Sequence, residues 1–317
     1  MNLSILIPLF NEEESLTELH NWILKVVERE KLSYEIIFVD DGSRDRSWTV
    51  IEALSASNPQ VKALRFQRNY GKSPALHMGF EMASGDVVIT MDADLQDSPE
   101  EIPALYRMVK EEGYDLVSGW KQKRYDNALS KNLPSRIFNY VNRKISGIAL
   151  HDMNCGLKAY RNKVVKSIEI YGEMHRFIPV LARAAGFEKI GEKVVHHQAR
   201  KYGSSKFGWS RFINGFLDLL TITVLSRFGK RPMHFFGLLG TMLFVLGFAF
   251  ACYLGANKLY CSFNHIPARL ITQRPSFFIA LTCMIIGSMM FLAGFTAELL
   301  LRNSSIRNQY LVDKRIG

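Results

Sequence analysis

Cysteine is scarce in this 317-residue chain, and its four copies stand at none of the spacings that bind a metal. Cys252 and Cys283 fall inside long apolar runs, and Cys155 is interpreted as a small packed thiol. The sequence also contains no internal repeat and no low-complexity stretch. These absences argue against a cysteine-based metal site and against a repeat architecture.

Acidic residues are outnumbered, with 30 Asp and Glu against 40 Lys and Arg, a formal net charge of +10 and a pI of about 9.4. This charge suggests acidic partners such as nucleic acid, anionic lipid or phosphorylated substrates. The excess is regional, because residues 121–144 hold seven basic residues against one acid and residues 193–231 hold eight against one. The blocks form no aromatic-interleaved platform and the second leads into apolar sequence, so lipid and phosphate explain them better than nucleic acid does.

Charged residues are absent from residues 235–256, and Glu298 is the only one in residues 276–301. Each run is long enough to cross about 30 Å of hydrocarbon. Because Gly-rich runs without a polar face suit lipid better than a protein core, we expect two membrane spans rather than two buried helices. The basic residues that flank the spans give a modest bias toward cytoplasmic termini and a cytoplasmic catalytic part.

Five short apolar runs end in polar residues and alternate with helix-like segments. These runs are residues 3–9, 35–41, 61–66, 86–94 and 115–120. The first is interpreted as a strand and not as a secretory signal, because it lacks a basic leader and breaks at Pro8. The alternation predicts an α/β fold with a mostly parallel sheet covered by helices on both faces.

Polar residues collect at the carboxyl ends of three predicted strands, where open α/β sheets bind their ligands. They are Asn11 and Glu12 after the first strand, Asp40 and Asp41 after the second, and Asp92 and Asp94 after the fourth. This convergence predicts a nucleotide site. Asp41 is a candidate contact for the base or ribose, and Lys72 in RNYGKSPAL is a candidate contact for the nucleotide; the alternative for Asp41 is an ordinary Asp-Gly turn.

Asp92 and Asp94 follow the apolar stretch VVITM, and side chains two apart on an extended segment point the same way. Oxygen ligands of this kind suit a hard divalent cation such as Mg²⁺ or Mn²⁺. Because unpaired carboxylates this close repel each other, the sequence predicts a positive group beside them. The alternative is a solvated turn whose acids cap the next helix, which begins near residues 98–101.

Six motifs together resemble the polyprenyl-phosphate glycosyltransferases of glycosyltransferase family 2, which include dolichol-phosphate mannose synthase, the bactoprenol glucosyltransferases and the undecaprenyl-phosphate aminoarabinose transferases. The motifs are IPLFNEEESL, VDDGSRDRSW, RNYGKSPALHMGF, DADLQDSPEEIP, DMNCGLKAYR and RKYGSSKF. The likeness runs through the soluble part and includes the two C-terminal spans. The chain departs from the family pattern at Ser204-Ser205, where many relatives have Glu-Ser, and at Lys158, where many have Arg.

The resemblance implies a GT-A, Rossmann-like fold that transfers a sugar, with inversion, from a nucleotide diphosphate to undecaprenyl or dolichyl phosphate at the cytoplasmic face of the membrane. It implies a GT-A domain over residues 1–205, a juxtamembrane amphipathic helix over residues 206–232 and two membrane helices with a short cytoplasmic tail over residues 233–317. A second amphipathic segment is expected at residues 129–145. Subgroup likeness favours a UDP-linked donor and the bacterial inner membrane, and tetramers occur among the relatives.

The resemblance also implies roles for individual residues. Nucleotide contacts are assigned to Pro8, Phe10, Asn11, Glu12, Asp41 and Asp92, and contacts with the metal and diphosphate to Asp92, Asp94 and Gln96. Asp152 matches the catalytic carboxylate, and Asp94 and Arg200 are also assigned to catalysis. Arg200, Ser205 and Lys206 match the loop that meets the acceptor phosphate.

A proton-abstracting base has little to do in this reaction, because a phosphate monoester is mostly dianionic at pH 7. We therefore expect Arg124, Arg200 and Lys206 to supply more of the rate, by offsetting the repulsion between two phosphate-bearing substrates. Asp152 is left to orient the acceptor or the sugar, or to take up a residual proton.

Two other functions fit the same acids. A processive polysaccharide synthase shares the fold, but it normally carries a Q-x-x-R-W motif and more spans, and this sequence has neither. A catalytically inactive, nucleotide-binding membrane scaffold is the other alternative, and the intact Asp92, Asp94, Asp152 and Arg200 argue against it.

Overall fold

A computed structural model of the chain describes residues 1–122, 147–172, 174–198, 201–202, 232–267 and 269–303. The chain divides into two units, Met1–Thr223 and Val224–Gly317. The amphipathic segments predicted at residues 129–145 and 206–232 lie outside the described residues.

The described part of the first unit is built on a seven-stranded sheet with the order β3-β2-β1-β4-β6-β5-β7. The strands are β1 Leu3–Leu9, β2 Tyr34–Asp40, β3 Val61–Arg65, β4 Val87–Thr90, β5 Leu116–Trp120, β6 Lys158–Arg161 and β7 Ile190–Val194. Among them only β6 runs antiparallel to its neighbours, β4 and β5. The mostly parallel sheet predicted from the alternating runs is confirmed, and β1 to β5 lie where the runs placed them.

Helices cover both faces of the sheet because successive residues of a buried strand point to opposite faces. Leu3, Ile5 and Ile7 of β1 belong to one hydrophobic cluster, which the apolar stripe of the first helix completes. Leu6 points the other way and packs in a second cluster with Phe80. The helices are α1 Leu16–Arg29, α2 Ser47–Ser57, α3 Lys72–Met82, α4 Ile102–Lys110, α5 Asn162–Val165 and α6 Ile178–Ala184, with 3₁₀ turns at Pro99–Glu101 and Met174–Phe177.

The second unit contains two long apolar helices, α7 Leu238–Phe263 and α8 Pro275–Asn303, with a π turn at Met233–Gly237 and a 3₁₀ turn at Ile271–Gln273. The segments Met233–Phe263 and Pro275–Leu300 each contain an 18-residue stretch with a mean hydropathy of 2.2 and are long enough to span a membrane. Glycines let their backbones touch, since a Cβ on Gly240 would lie 2.6 Å from the Gly287 carbonyl oxygen. Small residues at such contacts are typical of helix pairs in membranes.

A fully buried carboxylate, Glu35 on β2, joins the strands at the amino-terminal side of the sheet. One of its oxygens accepts hydrogen bonds from the Ser4 hydroxyl at 2.5 Å and from the Ser84 amide at 2.7 Å, and the other pairs with Lys62 at 2.6 Å. Burial alone would raise the pKa of Glu35, but the bonds from Lys62, Ser4 and Ser84 outweigh it and lower the pKa to about 2.

This carboxylate makes folding stability depend on pH. A folded-state pKa of about 2, below the ordinary value of 4.5, means that the stabilisation is complete above about pH 4.5 and is lost as the pH falls toward 2. We predict that Glu35→Gln lowers the free energy of unfolding by about 3 kcal/mol at pH 7 and by much less near pH 3. Denaturant unfolding of the detergent-solubilised chain measures both; a gap of the same size at both pH values would contradict the assignment.

Candidate active site at the carboxyl ends of the strands

The loops that follow β1 and β2 are hydrogen-bonded to each other. Asn11 adopts a left-handed conformation, with φ of 53°, and its amide donates to the Ser43 hydroxyl at 2.9 Å. The Asn11 side-chain oxygen accepts from the Arg44 amide at 2.8 Å, and the Glu12 amide donates to the Ser47 hydroxyl at 2.9 Å. Pro8 and Phe10 are partly buried in the same segment. Asn11 and Glu12 are therefore bonded to the segment that follows β2, and Pro8 and Phe10 precede them in the chain.

Asp41 anchors a third loop to this turn. Its buried carboxylate accepts hydrogen bonds from the amides of Tyr70 at 2.7 Å and Gly71 at 2.9 Å. Burial raises the pKa of Asp41, although these two bonds oppose the rise. Gly42 is required at the contact, because its φ is 72° and a Cβ there would lie 2.4 Å from the Arg68 carbonyl carbon. The carboxylate thus holds the RNYGK loop against the end of β2.

Lys72 supplies the positive charge that the sequence predicts beside Asp92 and Asp94. It is the first residue of α3, directly after Gly71, whose φ of 101° suits glycine. The Lys72 ammonium pairs with one carboxylate oxygen of Asp92, and each side chain is about one-third exposed. Burial would raise the pKa of Asp92, but the charges of Lys72, Lys121 and Lys158 hold it well below its usual range.

A second ion pair joins Asp97 to Lys121, the residue that directly follows β5. It is more deeply buried than the Lys72–Asp92 pair. The ammonium is 2.6 Å from a carboxylate oxygen of Asp97, whose side chain has no exposed surface. Burial would lower the pKa of Lys121, but the charge of Asp97 outweighs it and the pKa rises. Asp97 also forms an isolated backbone bridge with His197. The two residues are 24 positions apart and share no local pattern, so the sequence alone does not indicate this pair.

Lys158 on β6 is a buried lysine that donates to the carbonyl oxygen of Cys155. Burial lowers its pKa, and the negative charges of Asp152 and Asp92 oppose that effect. Asp152 is buried as well, and its carboxylate accepts from the Asn154 amide at 3.2 Å. Burial raises the pKa of the Cys155 thiol to about 12, as expected of a packed residue that is not a nucleophile. The motifs indicate Lys158 only as a position where many relatives have Arg, and they do not predict its place in the site.

The carboxylates present fit a divalent cation that is shared with a phosphate-bearing ligand. Asp94 is buried and its carboxylate accepts from the backbone N–H of Gln96 at 3.2 Å, whereas the Asp92 carboxylate is partly exposed. In the described ranges, no three His, Cys, Asp or Glu side chains form a metal-binding group. Mg²⁺ and similar ions are commonly held by one or two carboxylates together with substrate phosphates, and this pair suits that arrangement. The Gln96 side chain is partly buried beside them.

The predicted acceptor residues cannot be compared with the structure in the same way. Arg124, Arg200, Ser205 and Lys206 lie outside the described residues. Among the predicted catalytic residues, Asp94 and Asp152 are described, and both are buried near the carboxyl ends of the strands.

Comparison with known proteins agrees with this geometry. Residues 4–169 match the model of glycosyl transferase family 2. The chain belongs to glycosyl transferase family 2. Within the family it is 36% identical over 306 residues to a dodecaprenyl-phosphate galacturonate synthase of Rhizobium johnstonii, which covers 95% of this chain and 88% of that protein. It is 39% identical over 269 residues to an undecaprenyl-phosphate 4-deoxy-4-formamido-L-arabinose transferase of Shewanella sediminis, which covers 82% of this chain and 80% of the relative. Such relatives are polyprenyl-phosphate glycosyltransferases.

Solved structures of more distantly similar enzymes show the same GT-A fold. Mannosyl-3-phosphoglycerate synthase from Rubrobacter xylanophilus superposes with a TM-score of 0.58 at 15% identity, covering 72% of this chain and 75% of that one. Glucosyl-3-phosphoglycerate synthase from Mycobacterium tuberculosis, in complex with Mn²⁺, UDP and glucosyl-3-phosphoglycerate, gives a TM-score of 0.53 at 21% identity, covering 72% and 80%. The predicted fold class is confirmed.

Gly156 sets the position of Asp92, because a Cβ at Gly156 would lie 2.5 Å from an Asp92 carboxylate oxygen. We predict that Gly156→Ala displaces this carboxylate and weakens Mn²⁺-dependent binding of UDP or GDP, whichever binds tighter, by about tenfold or more. Isothermal titration measures the loss. The control is Gly255→Ala, where an added Cβ meets nothing within 4 Å. Equal affinity in the Gly156→Ala variant and the wild type would show that Asp92 lies outside the ligand site.

Proposed function

We propose that the chain transfers a sugar, with inversion, from a UDP-linked donor to undecaprenyl phosphate or a similar polyprenyl phosphate. The observation that carries the proposal is that a dodecaprenyl-phosphate galacturonate synthase aligns with 95% of this chain, so that the alignment extends from the strand-end segments into the apolar helices. The geometry supports it because the acidic strand ends and their lysines lie at the edge where α/β sheets bind nucleotides.

The donor nucleotide is assigned to the three joined loops. Pro8, Phe10, Asn11 and Glu12 line the pocket, and Asp41 serves it by fixing the RNYGK loop through its two amide contacts. This role for Asp41 is compatible with a ligand contact, since each carboxylate oxygen has a second lone pair.

A divalent cation, Mg²⁺ or Mn²⁺, is assigned to Asp92 and Asp94, with Gln96 beside them. When bound it neutralises the diphosphate and makes it a better leaving group. The Mn²⁺ complex of the M. tuberculosis structural neighbour supports the use of such an ion. The residues of this chain keep the Asp92 carboxylate ionised, because Lys72, Lys121 and Lys158 favour its charged form.

The acceptor needs positioning more than activation. A phosphate oxygen forms a bond to the anomeric carbon from the face opposite the leaving group, the bond from that carbon to the diphosphate breaks, and the nucleoside diphosphate departs with the electron pair. Because the acceptor phosphate is largely dianionic, no base is needed to start this step. Arg124, Arg200, Ser205 and Lys206 are assigned to the acceptor phosphate, and the buried Asp152 is assigned to orientation of the acceptor or sugar.

The two apolar helices place the enzyme where a lipid-linked acceptor is found. The two apolar helices anchor the enzyme in a bacterial inner membrane with the catalytic unit and both termini in the cytoplasm, where nucleotide sugars are available. The basic residues at 193–231 precede the first span and suit an anionic lipid surface. A homo-oligomer such as a tetramer is compatible with this arrangement.

Transfer itself is the decisive experiment. Purified full chain is incubated with undecaprenyl phosphate, Mn²⁺ and a panel of nucleotide sugars that includes UDP-galacturonate, and the lipid product is read by mass spectrometry. We predict one lipid-linked sugar, and a fall of about 1,000-fold or more in its rate for Asp94→Asn, with the fold retained. Asp86→Asn is the control, because Asp86 is an exposed aspartate that immediately precedes β4 and pairs with Lys110. No lipid-linked sugar from any donor, or a wild-type rate for Asp94→Asn, would contradict the proposal.

A further inference from the structure

We propose that Lys72 is the resident counter-cation of Asp92 and is displaced from it when a divalent metal binds, so that metal binding is weak alone and strong together with a nucleoside diphosphate. The ammonium then moves from the carboxylate to a phosphate of the ligand. This inference rests on the proposed function for the identity of the ligand, and it makes Lys72 a residue that couples metal binding to donor binding.

The first support is the contact itself. The Lys72 ammonium bonds to one carboxylate oxygen of Asp92. The other oxygen lies close to Gly156, since a Cβ there would come within 2.5 Å of it. The protein therefore occupies one oxygen and leaves the second beside a glycine, and a cation reaching Asp92 must compete with the ammonium. An ammonium and a divalent ion on one carboxylate repel each other strongly, because the repulsion scales with the product of their charges.

The second support is that the Lys72–Asp92 pair is accessible enough for Lys72 to change partners. Both side chains are about one-third exposed, so the ammonium can leave the carboxylate without crossing the core. Lysine is also a flexible point charge that binds phosphate readily. The Lys121–Asp97 pair differs, because Asp97 is fully buried and only 12% of the Lys121 side chain is exposed. Of these two lysines, only Lys72 is placed to change partners.

The third support is that hydrogen bonds fix the backbone on both sides of Lys72, whereas its side chain is partly exposed. Asp41 accepts hydrogen bonds from the amides of Tyr70 and Gly71, the two residues that precede Lys72. The amino terminus of α3 is further tied by Ser73, whose hydroxyl accepts from the His175 amide at 3.0 Å. The side chain can therefore carry the ammonium from Asp92 to the ligand while the backbone of Lys72 stays in place. The same loops are proposed to hold that ligand.

Charge balance explains why the metal should arrive with the diphosphate. A divalent cation alone adds positive charge beside Lys72, whereas the two ionised phosphates of a nucleotide sugar match the charge of the cation. Joint binding leaves the net charge of the site unchanged and gives the displaced ammonium a new anion. The two ligands should therefore strengthen each other's binding, and by the same factor in both directions.

The experiment measures Mn²⁺ binding to the detergent-purified full chain, from the electron paramagnetic resonance signal of free Mn²⁺, with and without saturating UDP. We predict that Lys72→Met binds Mn²⁺ alone at least about fivefold more tightly than the wild type, because the competitor is gone. The strengthening of Mn²⁺ binding by UDP should shrink in the same variant. Lys72→Arg keeps the charge and should resemble the wild type.

Two controls locate the effect. Lys110→Met removes the lysine of another exposed Lys–Asp pair, Lys110–Asp86 at 2.6 Å, and should leave Mn²⁺ affinity unchanged. Adding Asp94→Asn to Lys72→Met should abolish the gain, which places it at this site.

Unchanged or weaker Mn²⁺ binding by Lys72→Met, or a gain of the same size in Lys110→Met, would overturn the inference. Neither acceptor nor turnover enters the measurement. A failure here therefore leaves the proposed transfer reaction standing, and a failure to detect transfer leaves this result valid.

Discussion

Two aspartates at the tip of a buried strand repel each other unless positive charge stands beside them, and the rest of the site is arranged around that constraint. Three lysines from distant parts of the chain supply the charge: Lys72 from α3, Lys121 from the end of β5 and Lys158 from β6. They arrive there because the parallel strands end at one edge and the antiparallel β6 begins at it. The sheet topology thus brings the charges together, and the charges keep Asp92 ionised.

The two ends of the parallel strands use carboxylates for different purposes. Glu35 is fully buried, bonded by two serines and paired with Lys62, which makes it a permanent part of the fold. Asp92 is one-third exposed, and its carboxylate contacts the partly exposed Lys72 ammonium and lies beside Gly156. Exposure therefore separates an ion pair that stabilises the fold from one that is available to a ligand.

Much of this could be predicted from local sequence. Strands β1 to β5, the acids at their ends and the two apolar helices all follow from periodicity and run length. Strands β6 and β7 were missed because KAYR and IGEKV are short and polar. The partners of Asp92 and Asp97 were missed for a different reason: they depend on which strands are neighbours, and a single sequence does not show that. Asp41 was predicted as a ligand contact, and its bonds to the RNYGK loop became visible only in three dimensions.

We propose that a divalent cation and a nucleotide diphosphate bind together at the carboxyl end of β4. A structure of the full chain in lipid nanodiscs with Mn²⁺ and a non-transferable donor analogue tests it most directly. We expect an ion about 2.1 Å from oxygens of Asp92 or Asp94 and of the diphosphate, with the Lys72 ammonium on a phosphate. A donor bound elsewhere, or a donor bound here with no ion and with Lys72 still on Asp92, would contradict it.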